Sequence, residues 1–275
     1  MVLAGQALSL WDSYGLADYE LGSGSLSEDA QGRWYLNVCV KVKKRAQASD
    51  ASAVSASAVG IDLGLKDFMA SSDGTKVEAE QFYRDLEPRL AVAQRSHNKA
   101  RTRALHAKIA NRRKDFLHKL STRLVKNHRA IFVGDVNAQK LTGTRMAKSV
   151  LDAGWSTFRT MLQYKCDDAG VWFKQIDEKF STQECSCCAA RAGPKGLAGL
   201  GTHEWVCAVC GTSHDRDTNS ARVIKARGLV WLEKEFSAAA EARAVEAAVN
   251  EAAGAQALAA AAPGHGRPNV GIPVF

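Results

Sequence analysis

The sequence predicts an α/β fold in which three strands come first and helices then alternate with strands. From Val59 to Glu80 the chain gives a strand, a turn, a strand, a tight Asp-Gly turn and a third strand, and turns this short join antiparallel neighbours. Two later β-rich runs, 130–133 and 171–176, are short enough to be buried strands between helical patterns. This order is typical of α/β domains.

Apolar stripes predict the helices. Leu86 and Leu90 begin one segment, and residues 96–98 mark a bend before the next. Three further helices follow from their patterns: a stripe at Leu105, Ile109, Phe116, Leu120 and Leu124; another at Leu151, Trp155, Phe158, Leu162 and Cys166; and a last one over about 216–230. With the strands, this order is the one expected of an RNase H-like α/β domain.

The remaining segments divide the chain. Trp34 to Val42 alternates as a strand with one buried face, and Ala46–Ala58 is an Ala/Ser-rich linker. An alanine-dominated stretch from 237 has few large side chains with which to join a core. The first predicted divisions are a β segment over 1–45 that is the remnant of an N-terminal domain, a linker over 46–58 and the first part of the α/β domain over 59–180. A cysteine-bearing insertion follows over 181–212 and the last helix over 213–236. Residues 237–275 are predicted to be an Ala-rich helix with a flexible tail.

Composition excludes several classes of protein. The sequence has 46% hydrophobic residues, enough for a sizeable core, and no apolar run of about 18 residues that would predict a membrane span. The N-terminus lacks the basic and apolar regions of a signal peptide. Seven cysteines with metal-like spacing suit a reducing compartment, so we expect a cytoplasmic, nucleoid-associated protein.

Positive charge concentrates between Arg84 and Arg129. This segment has 14 Lys+Arg and three acidic residues, a local +11 against a whole-chain charge of +8, which predicts nucleic-acid phosphate binding. A solvated helical face is the alternative interpretation. The candidate phosphate-binding residues are Arg95, Lys99, Arg101, Arg103, Arg112, Arg113 and Lys114. The aromatic residues Trp155, Phe158 and Trp172 follow apolar stripes and are predicted to be core residues, not base-stacking platforms.

Two Cys-x-x-Cys pairs predict a structural zinc site. Cys185/Cys188 and Cys207/Cys210 are spaced as in closed four-thiolate sites. Cys187 is an extra thiol inside the first pair, and spacing favours Cys188. His203 and His214 lie nearby, but four cysteines already complete the ligand set.

Acidic residues at the ends of the predicted elements suggest a nuclease centre. An RNase H-like nuclease gathers carboxylates around two divalent ions, and oxygen ligands suit Mg²⁺ or Mn²⁺. The candidates are Asp62 on the first strand, an acid ending the 131–133 strand and Asp217 at the start of the last helix. Taken singly, Asp62 is more typical of a turn and Asp217 of a helix cap.

Five segments together resemble one family. GIDLGLKDF, KDFLHKLSTRLV, KSVLDAGWSTFRTMLQYK, STQECSCC and CAVCGTSHDRDTNSA are similar, in order, to motifs of TnpB, the insertion-sequence RNA-guided nuclease related to type V CRISPR effectors. The resemblance covers roughly residues 30–230. It implies a RuvC-like site using Asp62, the position of Gly134 and Asp217, with zinc on Cys185, Cys188, Cys207 and Cys210 and with guide RNA and target DNA as partners.

The sequence departs from the family at two places. Where the family has a metal-bridging Glu, this chain has Gly134; Asp135 is adjacent, but its neighbouring position on a strand turns it to the opposite face. Cleavage is therefore predicted to be lost or severely weakened. The family's N-terminal lobe is also represented only by residues 1–45, which suggests a truncated form or a second subunit that replaces the lobe.

Three hypotheses follow. The first is an RNA-guided DNA-binding protein with a degenerate nuclease centre. The second is an active Mg²⁺-dependent endonuclease using Asp62, Asp135 and Asp217. The third is a transposon remnant whose core and zinc loop still fold.

Overall fold

A computed structural model describes most of the chain. It covers residues 2–3, 5–7, 9, 11–12, 15–29, 31–42, 45–136, 153–195 and 198–260, without the side chains of 2, 3, 6, 198, 200 and 246–260. The chain divides into two compact units, Met1–Leu229 and Val230–Phe275. The predicted strands and the residues of the candidate site lie in the first unit.

A five-stranded mixed sheet forms the centre of the first unit. Its members, numbered with the other strands in chain order, are β5 (Ala58–Leu63), β6 (Asp67–Ser71), β7 (Lys76–Glu78), β8 (Ala130–Gly134) and β9 (Trp172–Ile176). They lie in the order β7-β6-β5-β8-β9. The first three are antiparallel, whereas β5, β8 and β9 are parallel. The α/β prediction and its order of strands are confirmed.

The parallel strands bring their carboxyl ends to one edge of the sheet. Ile61 on β5 pairs with Val133 on β8, and Gly134 at the end of β8 pairs with Ile176 at the end of β9. Residues that follow these strands therefore meet beside Asp62.

In the described part of the first unit, four helices connect and cover the strands. They are α1 (Ala51–Ala56), α2 (Glu87–Arg95), α3 (Lys99–Asn127) and α4 (Trp155–Ala169). Phe158 on α4 is fully buried and meets Phe68 on β6 edge-on, with 5.1 Å between ring centroids. Trp155 is also buried, so both aromatic residues are core residues, as predicted. Leu151, predicted on the same stripe, lies outside the described residues.

The last helix, α5 (Arg216–Ala260), packs directly on the sheet through two glycines. A Cβ at Gly60 on β5 would lie 2.1 Å from the carbonyl oxygen of Ala221, and one at Gly228 would lie 2.2 Å from the Phe132 ring of β8. Only the absence of side chains at these positions allows the helix so close to β5 and β8. The start of α5 is thereby held beside Asp62.

Smaller hairpins complete the described structure. They are β1 (Val2–Leu3) with β2 (Gln6–Ala7), β3 (Glu20–Glu28) with β4 (Trp34–Lys41), and β10 (Glu204–Val206) with β11 (Ser213–Asp215). Two 3-10 turns occupy Leu16–Asp18 and Ala198–Gly201. The hairpin of β10 and β11 belongs to the cysteine-bearing insertion.

Three sequence predictions differ from the structure. The 46–58 segment was predicted to be a linker, but it contains α1, whose first N–H groups are capped by the Asp50 carboxylate at 3.0 and 3.1 Å. The strand at Trp34 lacks the predicted buried face, because it pairs only with β3 in a two-stranded sheet and Trp34 is 66% exposed.

The last helix is also longer than predicted. Both the 213–236 helix and the separate Ala-rich helix from 237 belong to α5, which continues to Ala260. Alanine is the strongest helix former, so the stretch continues the helix despite its lack of large apolar side chains. The predicted flexible tail lies beyond the described residues from 261.

Within the described part of the chain, no helix is long and apolar enough to cross a membrane.

We expect Gly60→Ala to destabilise the protein, because the added methyl group would force α5 away from β5. Overpacking of this kind costs about 1–3 kcal/mol or more, which urea unfolding can measure. The same change at Gly201, where a Cβ meets nothing within 4 Å, is the matched control. Equal stability of the two variants would contradict the close packing.

Candidate active site and metal centre

Asp62 lies on the central strand of the site. It is on β5, opposite Ala70 of β6, and is partly buried. Burial, together with the negative charges of Glu178 and Asp217, raises its pKa to about 8, against the opposing hydrogen bond from the Ser220 hydroxyl. The carboxyl group therefore lies in an environment that contains uncompensated negative charge.

Asp217 lies in the first turn of α5. The capping role belongs to Asp215, whose Oδ1 accepts from the Thr218 N–H at 2.9 Å and whose Oδ2 pairs with Lys76 at 2.8 Å. Asp217 instead lines a cavity, and its Oδ1 accepts from Nε of Arg216 at 3.1 Å. The alternative that Asp217 is simply a cap residue is wrong.

The missing side chain at Gly134 leaves room for another carboxylate. A Cβ built on Gly134 would lie 2.8 Å from Oε2 of Glu178. Glu178 follows β9 by two residues, and β9 is the parallel neighbour of β8. The Glu178 carboxylate thus occupies the space into which a side chain from position 134 would project.

The environment of Glu178 resembles that of Asp62. Burial raises its pKa to about 7, the charges of Asp135 and Asp177 act in the same direction, and Arg159 opposes them. Together with the raised pKa of Asp62, this is the pattern expected where several carboxylates are crowded with too few cations.

Asp135 has a different role from the one predicted. Its side chain is exposed, and its Oδ1 accepts from the backbone N–H of Glu178 at 3.2 Å. Asp135 is not among the residues that line the cavity with Asp62 and Asp217. Its side chain holds the turn that carries Glu178.

Four carboxylates line one open cavity of about 600 Å³: those of Asp62, Asp67, Glu178 and Asp217. Asp67 pairs with Lys76 at 3.8 Å. Cationic and polar side chains share the wall, namely Lys66, Ser181, Thr182, His203 and Arg216. The sequence predicted Asp62 and Asp217 as site residues and did not predict Glu178. The available signal was an acidic pair, Asp177-Glu178, directly after the strand that neighbours β8.

The four predicted zinc ligands come together. The Sγ atoms of Cys185, Cys188, Cys207 and Cys210 all lie within 4.8 Å of one another. Two pairs are separated by 3.6 and 3.7 Å, close to the roughly 3.8 Å between sulfurs around a tetrahedral zinc with Zn–S bonds of about 2.3 Å. The donor set fits a metal, and Cys187, which is exposed, is not part of the cluster.

His214 supports the cluster from outside. It is buried, its ring stacks near Trp205, and its Nε2 lies 3.0 Å from Cys185 Sγ. A ring nitrogen at this distance can hydrogen-bond a cysteine sulfur and orient it.

The predicted phosphate-binding residues lie on α2 and α3 or between them. Arg95, Lys99, Arg101, Arg103 and Lys114 are exposed. Arg112 and Arg113 are half-buried: Arg112 pairs with Asp85 at 3.3 Å, and the Arg113 side chain lies against Gly154. Five of the seven candidate residues are therefore accessible to a phosphate group.

Comparison with known proteins agrees with these features. A family model described as "Probable transposase" (OrfB_IS605) matches residues 37–145, and one described as "Cas12f1-like, TNB domain" matches residues 155–224. The predicted resemblance to the TnpB family is confirmed. The second match spans all four clustered cysteines.

Related proteins cover most of this chain. A Streptomyces pristinaespiralis protein named "Putative RNA-guided DNA endonuclease" is 37% identical over 74% of this chain and 52% of its own length. An Escherichia coli (strain K12) protein named "Putative RNA-guided DNA endonuclease InsQ" is 29% identical over 72% of this chain and 54% of its own length. The chain thus spans about half the length of these relatives.

A solved Cas12f1–sgRNA–target DNA complex also matches. Its TM-score is 0.48 at 15% identity, over 70% of this chain and 53% of that one.

We expect the melting temperature to fall as pH rises when no Mg²⁺ or Mn²⁺ is added. Because the pKa of Asp62 is raised from 3.8 to about 8 in the folded chain, folding favours the protonated carboxyl group. The stabilisation from this group is therefore complete below pH 3.8 and is lost as the pH rises through about 8. Asp62→Asn removes this ionisation and should reduce the fall between about pH 5 and about pH 9. Calorimetry without chelators, which would strip zinc, measures the difference.

The same substitution at Asp168, an exposed aspartate of α4, is the control and should leave the pH dependence unchanged. If Asp62→Asn and Asp168→Asn melt with the same pH dependence, burial and neighbouring negative charge do not raise the pKa of Asp62 as described above.

Proposed function

We propose that this chain is the nuclease part of a TnpB-like, RNA-guided DNA endonuclease, with a RuvC-like centre formed by Asp62, Glu178 and Asp217. The observation that carries the proposal is the convergence of these three carboxylates on one cavity at the carboxyl edge of the parallel strands. Glu178 takes the place of the family's glutamate, which this chain lacks at Gly134.

The sheet supports the RNase H-like assignment. Three antiparallel strands are followed along the chain by two strands that run parallel to the first, in the sheet order β7-β6-β5-β8-β9. The sequence predicted the order of these elements along the chain. The helix that bears the last carboxylate lies on the central strand through Gly60. Carboxylates from a central strand, from its neighbour and from this helix can then act as one centre.

The donor set fits divalent cations such as Mg²⁺ or Mn²⁺. Asp62 and Glu178 have raised pKa values because neighbouring negative charges and burial disfavour their ionised forms, a condition that a bound divalent cation would relieve. Asp62, Glu178 and Asp217 would hold the ions. When bound, such ions activate water and stabilise the leaving oxygen in phosphodiester hydrolysis.

The chain's own residues prepare this centre. The Ser220 hydroxyl donates to Asp62, Arg216 holds Asp217, and Asp135 fixes the backbone of Glu178. Lys66 and Arg216 line the same cavity and supply positive charge where a backbone phosphate would lie.

The basic surface supplies the nucleic-acid contacts. Exposed Arg95, Lys99, Arg101, Arg103 and Lys114 lie on α2 and α3 or beside them, and such a surface binds phosphates without reading sequence. In the RNA-guided mode, base pairing supplies the sequence and the protein holds the duplex by its backbone. Guide RNA and target DNA are therefore the proposed partners.

Zinc is the proposed ligand of the four cysteines. The bound metal would fix the loop that leads into β11 and α5, where Asp217 lies in the first turn of the helix. Four thiolates leave no open coordination position, so this metal has a structural role.

A second candidate keeps RNA-guided DNA binding without cleavage. Gly134 favours this candidate, because this chain has no carboxylate at the position of the family's metal-bridging glutamate. The two candidates differ in whether Glu178 can do the work of the absent side chain.

We expect Glu178→Gln to reduce Mg²⁺-dependent cleavage of a guide-matched DNA by at least about a hundredfold, since loss of even an outer partner of a metal ligand costs 10- to 100-fold. The measurement is single-turnover cleavage by the chain co-expressed with its RNA. Gly134→Glu alone should also lower activity, because two glutamate carboxylates would then compete for the space in which Oε2 of Glu178 lies 2.8 Å from the new Cβ. The double change Gly134→Glu/Glu178→Ala returns the carboxylate to β8 and should recover cleavage.

Asp168→Asn, the exposed control on α4, should cleave as the wild type does. If the wild-type chain binds its target and does not cut it in Mg²⁺ or Mn²⁺, the second candidate replaces the first. Full activity of Glu178→Gln would remove Glu178 from the centre.

For the cysteine cluster, we expect one zinc per purified chain by elemental analysis. Cys207→Ser should lose it and lower the melting temperature, because Cys207 is a buried member of the cluster. Cys187→Ser, the matched control in the same loop, should keep the metal. If Cys207→Ser keeps its zinc and Cys187→Ser loses it, the assigned set of four cysteine ligands is wrong.

A further inference from the structure

One face of α5 lies beside Asp62, Gly134 and the turn that bears Glu178. Ser220, Ile224 and Arg227 are spaced four and three residues apart, so they lie on the same side of the helix. The Ser220 hydroxyl donates to Asp62 and lies 2.7 Å from the Ser181 hydroxyl. Ile224 Cδ1 lies 3.2 Å from where a Cβ on Gly134 would be.

Arg227, the third residue of this face, reaches the backbone on both sides of Glu178. Its Nη1 donates to the carbonyl of Asp177 at 2.7 Å and to the carbonyl of Lys179 at 3.0 Å. Its Nη2 pairs with Oε2 of Glu184 at 2.7 Å. One guanidinium therefore ties residue 177, residue 179 and the loop beyond them to α5.

The turn that bears Glu178 is fixed from the opposite side as well. The Asp135 carboxylate accepts from the Glu178 N–H at 3.2 Å, and the Asp135 N–H donates to Ile176 at 3.0 Å. Two residues after Glu178, Phe180 has a φ of 63°, a left-handed conformation that surrounding contacts must maintain. A carboxylate on such a turn depends on its anchors for its position.

The ion pair alone does not explain this arrangement. Arg227 and Glu184 side chains are 29% and 24% exposed, and an ion pair with that much solvent access contributes little to stability. The two carbonyl bonds use the rigid fork of the guanidinium, which lysine lacks. Their effect is on position: a shift of about 1 Å in a reacting group can cost a hundredfold in rate.

We propose that Arg227 is a positioning residue that holds Glu178 in the carboxylate centre. The inference rests on the proposed function, in which Glu178 is the third metal-binding carboxylate. Arg227 acts through the backbone of residues 177–179 and itself touches neither metal nor DNA. Its importance follows from the relocation of the carboxylate from β8, where the strand would fix it, to a turn after β9.

The test is a comparison of Mn²⁺ affinity in variants of the full chain, with zinc retained. Free Mn²⁺ is measured by electron paramagnetic resonance, and melting temperatures report folding. We expect Arg227→Gln to weaken Mn²⁺ binding by about tenfold or more, in the range found for partners that orient metal ligands. Arg227→Lys should give a similar loss, because a single ammonium cannot replace the fork.

Two backgrounds separate positioning from general stabilisation. In Glu178→Gln, which lacks the carboxylate that Arg227 serves, adding Arg227→Gln should change Mn²⁺ affinity less than about twofold, as expected for residues acting as one unit. In Gly134→Glu/Glu178→Ala, with the carboxylate on β8, Arg227→Gln should again have less than about a twofold effect. An equal loss in wild type and in these backgrounds would overturn the inference.

Arg222 provides the matched control on the same helix. It donates to the carbonyl of Ser72 at 3.3 Å, away from Glu178, and Arg222→Gln should leave Mn²⁺ affinity unchanged. If Arg222→Gln weakens Mn²⁺ binding as much as Arg227→Gln does, the weakening comes from the loss of a positive charge and the inference fails. A wild-type chain that binds no Mn²⁺ overturns the proposed function, and this inference with it. Mn²⁺ binding that survives Arg227→Gln overturns this inference alone.

Discussion

Helix α5 lies on strand β5 with no side chain between them at Gly60, where a Cβ would be 2.1 Å from the helix backbone. This contact sets the position of everything on the first turns of the helix. Asp217 is brought to the edge of the sheet where Asp62 lies, and Ser220 comes within reach of Asp62. Without that approach the two carboxylates would belong to separate surfaces.

The parallel pairing of β8 and β9 explains how a residue after β9 can supply a carboxylate at a position that belongs to β8. Parallel strands β8 and β9 end side by side, with Gly134 paired to Ile176. A side chain arriving two residues beyond β9 can therefore occupy the space that a side chain on Gly134 would use, and Oε2 of Glu178 does so. The family pattern has a glutamate at the position of Gly134. In this chain Glu178 contributes a carboxylate to the same space, so the loss at position 134 is made up by position 178.

The relocation has a structural consequence. A residue on a strand is fixed by its ladder, whereas Glu178 lies on a turn and depends on Asp135 and Arg227 for its backbone position. The centre is therefore coupled to α5 more extensively than a strand-borne carboxylate would require. Asn219 adds to this coupling, since its side chain bonds the backbone of Ser186 and Glu184 in the segment leading to the cysteines.

Much of this architecture could be predicted from local patterns. Turn residues and alternating side chains predicted the strands, the spacing of Cys185 and its three partners predicted the cysteine cluster, and the motifs around Asp62 and Asp217 predicted two carboxylates. Glu178 could not be found in that way, because its role depends on which strand lies beside β8 and on the space left by Gly134. The full length of α5 was missed because its alanine-rich half has no apolar stripe from which to predict a packed helix.

If Glu178 completes the centre, bound Mn²⁺ in crystals of the chain should lie against its carboxylate. Anomalous scattering identifies the ion without reference to activity. We expect Mn²⁺ bound by the carboxylates of Asp62, Glu178 and Asp217, with Asp135 still bonded to the Glu178 backbone. Mn²⁺ ligated by Asp135, or bound by Asp62 and Asp217 with Glu178 turned away, would contradict this expectation.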